Sequence, residues 1–485
     1  MIKIERISFL PHTGRLTRRY QTDGGGDSSW SDADDVSGDI FLNQQEFTYD
    51  AAGNLILAVN RDRFHDDAST ATGELGTPSS GNKARVSYQA FYYDAANRPT
   101  DSVNVGTNGG SSYTGPGSVP SRSNTVLVNS YGYDASGRPE TVTDPRGVVA
   151  KTYHDLAGRV TRTIDAYTSG TPTASTDRTV EYTYNGLGDV LTVKAVLPSS
   201  AFQTTAYIYA TTPTVGGTFY SNDVLSETRH PDKSTGSASS SEKETFGQNT
   251  LGELVTATDR NGTVHTYAHD VLGRLTTDTA TTLGTGIDGA VRRLETTYDT
   301  LGQPLSLTSY DATSGGNVVN QVVRFYNGLS QVTAEYQSHS GAVNTSTTPK
   351  VQYAYSEMSG GANHRRLTQL VYPQGATVNY VYGSGVDSAI SRITSAGMLS
   401  ASNATLSSES YSYLGLATVV FKSTPVATLS YIQATGDTSA NTDAGDKYTG
   451  LDRFGRLIDQ VWRNSSGSVI DRYQYGYDRI GNLVV

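Results

Sequence analysis

Two histidines four residues apart, in His265-Thr-Tyr-Ala-His269, are the first side chains here that could hold a metal. On a helix that spacing puts both imidazoles on one face, and a zinc protease would also need a glutamate after the first of them. Thr266 stands there instead, and the run reads as strand, so no metal site is expected. A second candidate is the acidic group Asp23, Asp27, Asp32, Asp34, Asp35 and Asp39, whose oxygens could gather calcium. Val36 and Ser37 fall where a calcium loop needs a ligand and a turn glycine, so a solvated acidic loop is expected. Gly76-Thr-Pro-Ser-Ser-Gly81-Asn-Lys83 has the glycines of a phosphate loop without its Lys-Ser/Thr pair. The small basic groups Asn363-His364-Arg365-Arg366 and Arg15, Arg18, Arg19 read as solvated patches. The chain has no Gly-x-Ser-x-Gly elbow and no cysteine, which excludes a thiol nucleophile, disulfides and cysteine-based zinc sites. No catalytic, cofactor-binding or metal residue is expected, and the chain reads as non-enzymatic.

The elements that would have to position any site are strands. Tyrosine is the compositional outlier, 32 against 11 Phe and 2 Trp, and its ring with a polar tip suits a sheet face that still meets water. Only 36% of residues are hydrophobic, and 50 are glycine, as expected of many strands joined by tight turns. A net charge of −10 with 37 Lys and Arg argues against nucleic acid as a partner. No stretch approaches the roughly 20 apolar residues of a membrane helix, so no membrane insertion is expected. Met1 to Pro11 lacks the apolar core of a signal peptide. The absence of cysteine suits an exported protein.

Internal repetition overrides a division into about three domains of roughly 150 residues. Tyr-Asp-x-x-Gly occurs at Tyr49-Asp50 to Gly53, Tyr133-Asp134 to Gly137, Tyr298-Asp299 to Gly302 and Tyr477-Asp478 to Gly481. Near copies run from Tyr93-Asp94 to Asn97, His154-Asp155 to Gly158, Tyr184-Asn185 to Gly188 and Gln248-Asn249 to Gly252. Others run from His269-Asp270 to Gly273, Tyr326-Asn327 to Ser330 and Leu451-Asp452 to Gly455. Each is followed by a polar residue and then by Leu, Val or Pro. Worn copies are expected at Tyr382 and around Tyr413-Leu-Gly-Leu-Ala417. Connectors Asp144-Pro-Arg-Gly147 and Asp259-Arg-Asn-Gly262 sit in one repeat phase, each glycine seven residues before the next tyrosine position.

A hairpin explains the motif. Val180, Tyr182 and Tyr184 share one face at period two, and a second extended run follows Asn185-Gly-Leu-Gly188. Asp or Asn opening a turn can bond backbone N–H groups two residues on, while glycine at its end accepts φ > 0. Asn97 tolerates that region; Ser330 is expected to mark strain or a different turn. A lone hairpin is unstable in water, so the hairpins must pair edge to edge. The fold expected is all-β, with repetitive antiparallel hairpins stacked into a long curled or spiralling sheet.

These Tyr-Asp-x-x-Gly-Arg-Leu units and Asp-Pro-x-Gly connectors resemble the RHS/YD-repeat family over Phe47 to Val485. The resemblance implies a β strip that spirals into a hollow shell, which in bacterial toxin complexes and polymorphic toxins encloses a C-terminal toxin. It also implies kinship with repeats of cell-surface adhesion proteins and with proposed carbohydrate binders. Implied partners are further repeats or C-terminal domains of the same longer protein, an enclosed toxin, or surface glycans. Secreted or cell-surface localisation follows from the same likeness. Toxin-type members end in a self-cleaving aspartyl core, whereas this chain stops in mid-hairpin at Gly481-Asn-Leu-Val-Val485. The expected organisation is a non-repeat segment at 1–45 and an array at 46–485, cut off before any core or toxin. Asp144-Pro145 superficially resembles that core's acidic motif, but its counterpart Asp259 lacks the proline, so a turn is expected. Gly/Ser-rich inserts at 69–83, 106–124, 212–222, 234–241, 312–317 and 338–349 should project from hairpin ends and carry any variable binding surface.

Overall fold

A computed structural model of the chain describes residues 6–9, 14–25, 36–67, 70–115, 117–209, 221–356, 366–402, 404–432 and 442–484. Among the described residues thirty-one strands, from β1 (Arg6–Phe9) to β31 (Val469–Gln474), make one sheet. Each strand pairs antiparallel with the next in sequence, so the chain is an open meander. Such a path follows from short period-two runs joined mostly by tight turns, which let each strand pair antiparallel with the next. The described parts of 1–45 supply β1, β2 (Leu16–Thr22) and the start of β3 (Phe41–Tyr49) to the same sheet.

Most of the strip is one layer thick. Buried apolar clusters lie near its beginning, around Leu57, Val86, Val103 and Val128 and around Tyr20 and Phe41. Between Val128 and Leu414 the buried apolar residues among those described are Ile164, Tyr336 and Ala376. With so little core, the middle of the strip is held by strand pairing and contacts between adjacent hairpins.

The strip also returns onto itself. Gly415, between β27 (Thr405–Leu414) and β28 (Thr418–Ser423), donates its N–H to the carbonyl of Arg63, which ends β4 (Leu55–Arg63), at 2.8 Å. The turn between β29 (Thr428–Ser430) and β30 (Asp459–Arg463) offers the Arg453 carbonyl to Thr107 N–H at 2.9 Å, just past β6 (Pro99–Gly106). After β31, Arg479 donates to the Pro145 carbonyl at 3.3 Å, between β8 (Pro139–Thr143) and β9 (Val149–His154). Thus β27 meets β4, β29 meets β6 and β31 meets β8, a constant offset of 23 strands among the described residues.

Along this seam Phe64, Leu414, Val420, Tyr448 and Leu451 form a shared apolar cluster. Arg85 donates to both carboxylate oxygens of Asp446 at 2.9 and 2.8 Å, with the two side chains 6% and 1% exposed. Backbones touch here: a Cβ on Gly445 would lie 2.2 Å from the Gly110 nitrogen, so only glycine fits. Inserts 69–83 and 106–124 border the seam, because Thr77, Gly110 and Ser112 share a small cavity with Gly445 and Asp446. They are contact surfaces within the chain, not free projections.

Candidate functional site

The one arrangement that recurs along the described chain is the Tyr-Asp turn. In the copy at Tyr133, Asp134 N–H donates to the Arg138 carbonyl and Gly137 N–H to the Asp134 carbonyl, both at 2.9 Å. The Asp134 carboxylate accepts from the backbone N–H of Ser136 at 2.8 Å and of Arg138 at 2.9 Å. The same backbone pair closes the turns at Asp50, Asp94, Asp155, Asn185, Asn249, Asp270, Asp299, Asn327, Asp452 and Asp478. A one-residue register shift falls at Tyr49, Tyr93, Tyr184, Gln248, His269, Tyr298 and Tyr326, the expected bulged hairpin. Gly53, Gly158, Gly188, Gly252, Gly273, Gly302, Gly455 and Gly481 all have positive φ, and Asn97 matches them at 61°. Ser330 sits at φ 65° with its N–H on the Asn327 carbonyl at 3.0 Å. It therefore forms the same turn rather than a different one, and carries the left-handed strain a serine feels there.

The polar residue after the glycine position completes the turn by matching the residue that opens it. Where that residue is Asp, the partner is usually a donor: an arginine Nε from Arg98 to Asp94 at 2.7 Å, Arg138 to Asp134 and Arg159 to Asp155 at 2.8 Å and Arg274 to Asp270 at 2.7 Å, or an amide from Asn54 to Asp50 at 2.9 Å and Asn482 to Asp478 at 3.0 Å. Where it is Asn, the partner is an acceptor. Asn185 donates to Asp189 at 2.8 Å, Asn249 to Glu253 at 2.6 Å and Asn327 to Gln331 at 2.8 Å. Backbone N–H bonds from Arg98, Arg138 and Arg159 hold the carboxyls of Asp94, Asp134 and Asp155 below the ordinary range. Side-chain bonds from Asn54 and Arg274 do the same, first of all, for Asp50 and Asp270.

Tyrosine links most of the turns it opens to the hairpin before them. Its hydroxyl donates to the carbonyl that opens the outgoing strand of that hairpin, Tyr93 to Leu55 at 2.9 Å, Tyr133 to Pro99 at 2.7 Å and Tyr184 to Val160 at 2.6 Å. Tyr298 reaches Leu275 and Tyr326 reaches Pro304, both at 2.8 Å. Gln248, in a tyrosine position, keeps the bond with its amide, 3.2 Å from the Leu225 carbonyl. The arginine of the earlier hairpin lies over the next ring: Arg98 on Tyr133 at 4.5 Å, Arg159 on Tyr184 at 4.8 Å, Arg274 on Tyr298 at 4.3 Å, Arg456 on Tyr477 at 5.1 Å. Neighbouring hairpins are thus stapled by a hydroxyl, a guanidinium and a ring (a side-chain ladder beside the backbone ladder).

The worn copies keep the staple, Tyr382 to Leu367 at 2.9 Å and Tyr413 to Ile393 at 2.5 Å. So does Tyr355, to Val332 at 2.9 Å, in a copy that lacks the Asp-x-x-Gly signature and shows in the sequence only as the pair Tyr353-Ala-Tyr355, spaced like Tyr182-Thr-Tyr184. Connector Asp144 repeats the turn bonding, its N–H on the Val148 carbonyl at 2.9 Å, and Asp259 does likewise on Thr263 at 3.0 Å. The other chemical candidates stay apart. His265 and His269 lie along one strand, Val264–His269, with His265 Nδ1 2.6 Å from Asp278 Oδ1. Asp39 accepts from the Thr22 hydroxyl at 2.6 Å and Asp23 from the backbone of Ile40 at 2.9 Å. Asp27, Asp32, Asp34 and Asp35 lie outside the described residues, as do Asn363, His364, Arg365 and most of the 212–222 insert. Among the described residues no three His, Asp or Glu side chains gather at metal-binding distances, and no helix is long and apolar enough to cross a membrane.

A meander of bulged hairpins, each stapled to the last by a Tyr-Asp turn, defines a repeat-strip protein. The sequence pattern of the RHS Repeat family matches residues 133–170, so this stretch carries an RHS repeat. Two solved structures share its fold. The crystal structure of TcdB2-TccC3-TEV is 12% identical with a TM-score of 0.50, over 99% of this chain and 23% of that one. The Photorhabdus luminescens Tc holotoxin pore is 12% identical, also at 0.50, over 97% of this chain and 22% of that one. This chain therefore spans less than a quarter of the length of the structures it matches. No curated protein matches it.

Proposed function

We propose that the chain is a non-enzymatic wall, a stretch of β strip that belongs to the shell or stalk of a large secreted or surface protein and encloses or presents a toxin or effector. The observation that carries this is the seam with its constant offset of 23 strands. At about 4.8 Å between strands, 23 strands run about 110 Å around, which corresponds to a ring about 35 Å across before strand tilt. A single-layer strip that closes on itself leaves a space bounded by sheet rather than filled by a core. The likeness to Tc toxin structures supports the same reading. Cryo-electron microscopy of the purified chain tests it. A ring with an open centre is expected; a filled particle or an uncoiled ribbon would refute the wall.

A carbohydrate-binding or adhesion role is the alternative. It is favoured by a second set of half-buried rings, Tyr131, Tyr182, Tyr267 and Tyr353, each two residues before the tyrosine position of its copy. Micromolar binding on a glycan array, lost on Tyr182→Ala, would favour it over a plain wall.

A further inference from the structure

The seam joins two unlike rims. One rim carries the Tyr-Asp turns, the other the connectors, and at the seam the turns 452–455 and 478–481 rest on connectors 106–126 and 144–147. Apart from these and the turn at Gly415, which meets Arg63, the turns among the described residues have no such cover, yet they are not built like a solvent surface. The residue just before the glycine position is leucine in each of the turns 185–188, 249–252, 270–273, 299–302 and 327–330. These five side chains, Leu187, Leu251, Leu272, Leu301 and Leu329, are 56% to 80% exposed. Tight turns ordinarily put Asn, Asp, Ser or Gly at such a point, and single exposed leucines need no explanation, but a row of them, four on successive hairpins, does.

What that position does when covered is visible in the same chain. Its equivalents in the two docked turns are Phe454 and Ile480. Phe454 is half-buried, with its ring against Gly106 on the connector rim, where any added Cβ would meet it at 3.1 Å. Ile480 stays 44% exposed, and the uncovered leucines stand at the position where Phe454 meets the connector rim.

We propose that the leucine-tipped turn rim is a docking surface for the connector rim of a second copy of this chain. Two unlike rims meeting between copies make a heterologous contact, which does not close at a dimer and grows head to tail. The second copy fits as occupant because it carries the same kind of rim, with connectors such as Asp259–Gly262 folded like the Asp144–Gly147 turn that already receives Arg479.

Sedimentation velocity of the purified chain over a range of concentrations tests this. Wild type is expected to associate progressively beyond dimers. A variant with Leu251→Asp, Leu272→Asp and Leu301→Asp should run as a monomer, with association weakened on the order of 100-fold or more, and with an unchanged melting temperature. That variant keeps its connector rim, so added to wild type it should cap the assemblies and shorten them. If it fails to fold, Leu187→Ser with Leu329→Ser gives the same reading with smaller changes. A wild type that stays monomeric throughout, a variant that associates as wild type does, or a folded monomeric variant that cannot cap would each overturn the proposal.

Discussion

The hydroxyl of Tyr184 donates to the carbonyl oxygen of Val160 at 2.6 Å, across the boundary between two hairpins. Tyr184→Phe keeps the ring under Arg159 and removes only that bond. The expected loss is about 1 kcal/mol, read as a lower urea midpoint. Tyr298→Phe should cost the same, and the pair should add, since the two sites share no partner. No loss at either site would mean that the ring alone makes the staple.

Backbone handedness gives the second expectation. Gly137 has φ 80° and Gly273 φ 76°, so valine at either should destabilise by about 1–3 kcal/mol. A Cβ at Gly137 would meet Arg98 only at an ordinary 3.4 Å, so the cost there is backbone strain, not crowding. Ser330→Gly is the converse and should raise the melting temperature, by relief of about 1 kcal/mol. Unchanged melting in all three would remove the turn geometry as a source of stability.

Asn185 and Asp189 form a matched pair at 2.8 Å. Asn185→Asp should place two carboxylates against each other and destabilise by roughly 0.5–1 kcal/mol. Adding Asp189→Arg recreates the Asp134–Arg138 arrangement and should restore stability. A double-mutant cycle measures the coupling; a value near zero would show the two positions to be independent.

Acid should loosen the array. Asp50, Asp94, Asp134, Asp155 and Asp270 titrate below their ordinary range when folded. Their contribution is therefore complete above the unfolded value near 3.9 and fades as pH falls toward the folded values. Melting temperature should hold steady from pH 7 to about pH 5 and drop below about pH 4. Asp134→Asn with Arg138→Asp, the Asn185 pattern, should flatten that drop.

At the seam, Arg85→Ala leaves Asp446 buried without its partner and should cost about 3–5 kcal/mol. Replacing both by Met and Leu should cost much less. Hydrogen exchange at Thr107 and Gly415 would report whether the seam opens before the sheet.

The sequence made the hairpins legible because their determinants are local. Asp134, Gly137 and Arg138 complete one another within five residues, so the motif carries its own structure. The staple was half legible: Tyr184 stood out, but its acceptor is a backbone carbonyl, which leaves no mark on residue type at Val160. The seam was not legible at all. Arg85 and Asp446 belong to no repeat phase, and the glycines at 106, 110 and 445 looked like those of any surface insert. Ser330, an exception by residue type, forms an ordinary turn under strain, because the hairpin's ladder outweighs one unfavourable φ.

The fixed interval of 23 strands has a consequence for how such a chain can change its length. A loop may grow without disturbing the wall, but duplicating one hairpin inside the first coil would advance every later tooth by one position, setting Arg453 and Arg479 against the wrong sockets. Variation in repeat number should accordingly accumulate where coils have no neighbour above or below, and the meshed stretch should keep its count like a gear.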